Sequence, residues 1–195
     1  MSVGVKACKS DDFMETLLGL VPLLFAVDAE GDLRRIRTTA LSLLPELKAQ
    51  MQFPGWLNEA YGRRVLYSTR DLEIMLACWR PQSECAPHDH GFSQGRVLAL
   101  GGSFIESDFG WRDENLVRLG GRAIESLSAL PVDLGHIHSM KCNSDNGLTL
   151  HFYRPAISQM KVFDLEKRRT LMVTDDCGAW IPQPHQIVTA EPWKK

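Results

Sequence analysis

The chain lacks several features that would assign it to a class at once. Its 195 residues hold 5 cysteines (Cys8, Cys78, Cys85, Cys142 and Cys177), an odd number with no C-x-x-C pair. That spacing argues against a disulfide framework and against a structural zinc site. A reducing, cytoplasmic setting fits best. An excess of either charge is missing too. Lys and Arg total 22 against 24 Asp and Glu, for a net charge of -2. Such a balance gives no general electrostatic reason to bind nucleic acid or an anionic membrane. The short basic groups Arg34-Arg35-Arg37 and Lys167-Arg168-Arg169 read as solvated faces. The apolar run Leu17 to Val27 is too short to span a bilayer, contains Pro22 and follows Asp11, Asp12 and Glu15. It reads as a buried helix, not as a signal peptide or a membrane span. No linker and no internal repeat is visible.

What is present suffices for an ordinary globular domain with a substantial core, at 44% hydrophobic and 24% charged residues. Ser10, Asp11 and Asp12 form a helix start, with acidic groups at the positive end of the dipole. Leucines at helical spacing follow to about Phe25. After a turn over Asp28 to Asp32, with Asp32 as a cap, a second helix presents Leu33, Ile36, Ala40, Leu43, Leu44 and Leu47. Pro45 within that pattern predicts a kink or a restart. From about Arg64 the period becomes two. Leu72, Ile74 and Leu76 alternate with Glu73, Met75 and Ala77 and lead into Cys78-Trp79. Further short strands are expected over 97–100, 103–108, 116–119, 122–127, 133–140, 148–153, 161–163 and 170–174, separated by Gly, Asn, Asp and Pro turns. This is the pattern of a mainly β sandwich or barrel of jelly-roll type. The expected organisation is a single domain over 1-195: a helical N-terminal part over 1-60, a β-barrel over 61-175, and an extended C-terminal tail over 176-195.

The chemistry is concentrated in Cys85-Ala86-Pro87-His88-Asp89-His90-Gly91. Residues two apart on a strand share a face, so His88 and His90 can aim two imidazoles at one metal ion. Imidazole suits iron, zinc, copper and nickel alike, so the pair does not name the metal. A turn bearing two solvated histidines is the competing reading. A second constellation is Thr149, His151 and Tyr153, which alternate with Leu150 and Phe152 and share one face of a strand. Polar groups on an inward face must be paired. A hydrogen-bonded core strand would satisfy that condition without any catalytic role.

The H-x-H pair, followed at the right spacings by Gly95 and Gly102, resembles the first cupin motif, with glycine where most cupins carry a ligand glutamate. Gly135-His136-Ile137-His138 supplies the glycine and histidine of the second motif, with Asn143 one position late. Register and strand alternation favour His138 over His136 as third ligand, and only one of the two can join His88 and His90. Three neutral histidines without the glutamate leave several coordination positions open.

Taken with Tyr61-Gly62-Arg63, the strand ending in Cys78-Trp79, the run Thr149 to Pro155, and Phe163-Asp164, the chain resembles the cysteine dioxygenase family of thiol dioxygenases over about residues 61–164. The resemblance implies a cupin fold and a mononuclear non-haem Fe(II) enzyme that adds both atoms of O2 to a thiol, giving a sulfinate. It assigns His88, His90 and His138 to the iron. It gives Arg63 the substrate carboxylate, which suits a guanidinium fork, with Tyr61 in support. His151 and Tyr153, reached through Thr149, become an outer-sphere relay. The implied partners are a small-molecule thiol and O2, with no nucleic acid and no membrane, in a monomer or small homo-oligomer.

The departures bear on substrate more than on reaction class. Gly95 stands where animal members place a cysteine crosslinked to the active-site tyrosine, so Tyr153 should be an unmodified phenol. Thr149 replaces a serine and keeps the hydroxyl. Arg154, Ala156 and Met140-Lys141-Cys142 also differ from the family pattern. Arginine at the Y-x-R position accompanies cysteine in the family, so Arg63 favours cysteine or a close α-amino thiol. Two alternatives remain: a metal-dependent cupin isomerase or lyase using the ion as a Lewis acid, and a small-molecule-binding cupin without turnover.

Overall fold

Phe13, Leu17, Leu20 and Leu24 recur at the spacing of one helical face, and helix α1 (Asp11–Leu24) buries all four. Helix α2 (Ala29–Ala49) repeats the spacing with Ile36, Ala40, Leu43 and Leu47. Leu33 and Leu44 flank that stripe and are half-buried. The two helices pack on each other. α2 is continuous through the exposed Pro45, so the expected restart does not occur. Asp32 lies inside the helix instead of capping it, in an ion pair with Arg35 at 3.4 Å. This computed structural model describes residues 11–26, 29–51 and 59–194; the expected cap at Ser10 and the turn residue Asp28 fall outside them. The chain divides into two compact units, residues 1–51 and 52–195. No helix among the described residues is long and apolar enough to cross a membrane.

The second unit is built of antiparallel strands, as expected for a mainly β chain with a helical N-terminal part. Strands β1 (Tyr61–Ser68), β2 (Glu73–Trp79), β8 (Gly147–Arg154), β3 (Gln94–Gly101) and β6 (Ala129–Val132) form one sheet in that order. A second sheet is ordered β5 (Asn115–Ile124), β4 (Phe104–Arg112), β7 (Ile137–Cys142). A third is ordered β11 (Ile187–Pro192), β10 (Arg169–Val173), β9 (Lys161–Asp164). One apolar cluster joins the first two sheets through Trp79, Val97, Val132, Phe104 and Met140. Trp79 and Phe104 meet edge to face, with ring centroids 5.7 Å apart.

Several local differences from the sequence pattern have physical causes. Every residue of β2 is buried, so its alternation in polarity is not an alternation in exposure. β2 lies between β1 and β8, and even Glu73 is covered. The two strands expected over 116–119 and 122–127 are one strand, β5. Gly120 and Gly121 pair in register with Asp108 and Ser107 and form no turn; the register shift falls at Leu119, between Gly120 and Arg118. β7 begins only at Ile137, because Gly135 takes a positive φ of 74°. The stretch expected as an extended tail contributes the paired strand β11.

Candidate metal centre

His88 and His90 lie between β2 and β3, on a segment that is not a regular strand. It is fixed by single bridges. His88 donates its backbone N–H to the His138 carbonyl at 2.9 Å and accepts one back from His138 at 3.1 Å. This reciprocal pair places the loop histidine beside the histidine of β7. The intervening Asp89 turns the other way and acts as a brace. Its Oδ1 accepts the backbone N–H groups of Gly91 and Lys161, each at 3.0 Å. Gly91 has φ +60°, and a Cβ there would fall 2.0 Å from the Ser158 carbonyl oxygen, so only glycine fits this close approach.

The three rings converge, with centroid separations of 4.8 Å (His88–His90), 4.7 Å (His88–His138) and 5.3 Å (His90–His138). One nitrogen from each lies within 4.8 Å of the others, and all three residues are buried. Second contacts fix two tautomers. His88 Nδ1–H donates to the Ala86 carbonyl at 2.9 Å, and His138 Nδ1–H donates to Glu106 Oε1 at 2.8 Å. Each Nε2 therefore carries a lone pair. His138 Nε2 and His90 Nδ1 are buried with no hydrogen-bond partner. Buried imidazole nitrogens left unpaired are costly in a fold that is complete without a ligand, and they suit a cation. Burial, followed by the neighbouring histidines, holds the pKa values of His88 and His90 well below the usual value, so both imidazoles are neutral.

His136 is not the third member. It is half-buried, outside β7, and its Nε2 is committed to Asp108 Oδ1 at 2.8 Å. Glu106 is the site residue that the sequence did not disclose. It is 1% exposed, bonds His138 on one oxygen and meets Arg122 Nε at 2.7 Å on the other. Burial pushes its pKa up, but the hydrogen bonds from His138 and Arg122 outweigh that and hold it below the usual range. The available signal was the inward alternation of Phe104 and Glu106 on β4. It is weak, because the next two residues, Ser107 and Asp108, are polar as well, and Ser107 is also buried.

From β8, Thr149, His151 and Tyr153 form a connected row. Thr149 Oγ1 is 2.7 Å from His151 Nε2, and His151 Nδ1 is 3.0 Å from Tyr153 Oη. Tyr153 Oη continues to His90 Nε2 at 3.2 Å, so the row reaches the histidine cluster. Burial depresses the pKa of His151 to about 3 and raises that of Tyr153 well above its usual value. Both are neutral. Gly95, paired with Tyr153, has no space for a side chain, since a Cβ would lie 2.8 Å from two Tyr153 ring carbons.

Tyr61 and Arg63 of β1 line the same cavity as the three histidines, His151 and Tyr153. Their polar groups already hold the 175–179 segment. Tyr61 Oη accepts the Ala179 N–H at 2.8 Å. Arg63 Nη1 donates to the carbonyls of Asp175 (3.0 Å) and Cys177 (2.6 Å), and Nη2 lies 3.6 Å from Glu73 Oε1. The guanidinium is therefore shared and not an open fork. Burial raises the pKa of Glu73, against the lowering effect of Arg63. Arg154 is exposed and does not line the cavity.

The sequence model of the family described as cysteine dioxygenase type I matches residues 51–166. Among solved structures, the chain is similar to an uncharacterised double-stranded β-helix protein from Klebsiella pneumoniae (14% identity, 58% of this chain and 86% of that one, TM-score 0.48). It is also similar to KdgF from Halomonas (15% identity, 51% and 83%, TM-score 0.43). A third is Peruvianin-I, a cysteine peptidase from Thevetia peruviana latex (12% identity, 60% and 75%, TM-score 0.50). At these identities a structural likeness speaks to fold alone, and the two with TM-scores under 0.5 carry no weight even there. The fold is a cupin, with three buried histidines placed to hold a metal.

Proposed function

Because the chain belongs to the cysteine dioxygenase type I family, we propose that it is a non-haem Fe(II) thiol dioxygenase acting on cysteine or a related small carboxylated thiol. The net reaction is R–S⁻ + O2 → R–SO2⁻. Both oxygen atoms go to sulfur, which supplies all four electrons, so no external reductant is needed. The observation that carries this reading is the all-histidine cluster, which holds two unpaired buried nitrogens and is joined through His90 to the Thr149-His151-Tyr153 row. Iron(II) held by His88, His90 and His138 would supply a redox centre with open positions for thiolate and dioxygen.

The protein's own part is orientation and proton placement. Neutral ligands leave the metal's positive charge undiminished, which favours a substrate bound as thiolate. Arg63 offers positive charge to a carboxylate on the same side of the cavity, and Tyr61 holds the wall beside it. Fixing the carboxylate sets the sulfur's position, and positioning of this kind lowers the barrier. Tyr153, kept protonated by its surroundings, offers an O–H to developing negative charge on oxygen.

A cytoplasmic setting and action on a small-molecule thiol, without nucleic acid or membrane and as a monomer or small homo-oligomer, complete the proposal. It is supported by the near-neutral charge and by the free thiols of Cys78, Cys85, Cys142 and Cys177. The test is oxygen uptake by protein loaded anaerobically with Fe(II), on a panel of L-cysteine, 3-mercaptopropionate, cysteamine, homocysteine and mercaptosuccinate. Uptake matched by a sulfinate from L-cysteine is expected. Stoichiometric iron with no uptake on any thiol would overturn the reading and favour a cupin of other chemistry.

A further inference from the structure

Trp79 closes β2 on the first sheet, and its ring packs in the core between Tyr61 (centroids 4.5 Å apart) and Phe104. Its indole Nε1–H donates to Thr149 Oγ1 at 2.8 Å. That bond lies upstream of the row that reaches the histidine cluster, and an indole can only donate. We propose that Trp79 is the positioning residue that sets the direction of the whole hydrogen-bond row, forcing His151 into its Nδ1–H tautomer and turning the Tyr153 proton toward the metal cluster.

Donor and acceptor capacity, with a neutral His151, fixes the direction of the row. Thr149 is wholly buried, and its hydroxyl has two partners, Trp79 Nε1 and His151 Nε2. The hydroxyl proton cannot go to a donor. It goes to His151 Nε2, because leaving it unpaired in the interior is costly. His151 is neutral and carries one ring proton, which must then sit on Nδ1. From there it donates to Tyr153 Oη at 3.0 Å. The phenol oxygen is thereby an acceptor on its His151 side. Its own proton is left to point away from His151, into the cavity on the side where His90 Nε2 lies at 3.2 Å. While the indole N–H faces Thr149, a row running the other way would leave the hydroxyl proton with no acceptor; with a weak acceptor such as sulfur in its place, the hydroxyl could turn its proton there, accept from His151 Nε2–H, and every bond in the row could reverse. The tyrosine proton would then point back at His151, away from the metal cluster.

The consequence for sulfur chemistry rests on the dioxygenase reading, but the tautomer itself does not, and it is read on metal-free protein. Long-range ¹H–¹⁵N correlation spectra of histidine-labelled protein distinguish Nδ1–H from Nε2–H by the nitrogen shifts. The expected result is Nδ1–H for His151 in the unaltered chain. Replacing Trp79 with benzothienylalanine, a sulfur isostere without the N–H, should convert His151 to a mixture or to Nε2–H while the core stays filled. Thr149→Val should release the tautomer in the same way, and Thr149→Ser should keep it. An Nε2–H tautomer in the unaltered protein, or an unchanged tautomer after loss of the indole N–H, would overturn the assignment. Loss of the dioxygenase reading through absent oxygen uptake would leave these spectra unaffected, so the two failures are distinguishable.

Discussion

At the scale of single residues, the site depends on side chains that serve structure and chemistry together. Arg63 is the main case. It braces the carbonyls of residues 175 and 177 and faces Glu73. Arg63→Ala should raise KM for a carboxylated thiol about 10- to 100-fold, from the loss of charge-assisted hydrogen bonds worth roughly 1.5–3 kcal/mol. The same variant should melt earlier because the 175–177 brace goes with it. Steady-state kinetics beside thermal melts separate the two effects, and an unchanged KM would remove Arg63 from substrate binding. Gly95 makes the opposite case, a residue that acts by having no side chain. In Gly95→Ala the new Cβ must displace the buried Tyr153 ring. The expected outcome is a fall in kcat of about 10- to 100-fold, since small misplacements of reacting groups are that costly. Iron content by metal analysis should stay at the unaltered level. Loss of iron together with activity would mean that Gly95 supports the ligands instead.

Among elements, β4 and β7 show how sheet pairing fixes the place of an imidazole in the histidine cluster. β7 carries His138 inward, and β4, paired with it, carries Glu106 to bond the far side of the same imidazole. A carboxylate there fixes the ring and raises its basicity. Glu106→Gln should therefore weaken metal affinity about 10- to 100-fold, measured by competition against a chelator. Unchanged affinity would reduce Glu106 to a structural partner of Arg122. Legibility from sequence follows the same division. The row on β8 could be read because strand alternation alone puts Thr149, His151 and Tyr153 on one face, and all three are found bonded in that order. The convergence of His88 with His138 was reached through motif register, whereas its physical basis is a pair of backbone bonds across a loop, which no periodicity announces. Glu106 and the indole of Trp79 stayed hidden for a related reason. Their roles are defined by partners on other strands, 32 and 70 residues away in sequence. Gly120-Gly121 reads as a turn because glycine serves turns and strand irregularities alike, and the bulge lies beside it at Leu119.

For the molecule as a whole, burying histidines without charge ties stability to pH. His88, His90 and His151 all have pKa values depressed by burial in the folded state. The unfolded chain takes up protons at these groups near pH ~6.5, while the folded chain does not. Stability is therefore fully present above that value and is lost as pH falls below it, by up to about 1.4 kcal/mol per pH unit for each histidine. Urea titrations of metal-free protein at about pH 7.5 and about pH 5.5 should show a clear drop in midpoint. A flat midpoint would mean that these imidazoles are not buried in the apo state. The central claim, however, concerns where the oxygen goes. The most direct measurement is mass spectrometry of the product formed from L-cysteine by the Fe(II)-loaded protein under isotopically heavy dioxygen in ordinary water. The account predicts a sulfinate carrying two heavy oxygen atoms. A product with one heavy atom or none would contradict it, because one or both of the oxygens would then have come from water.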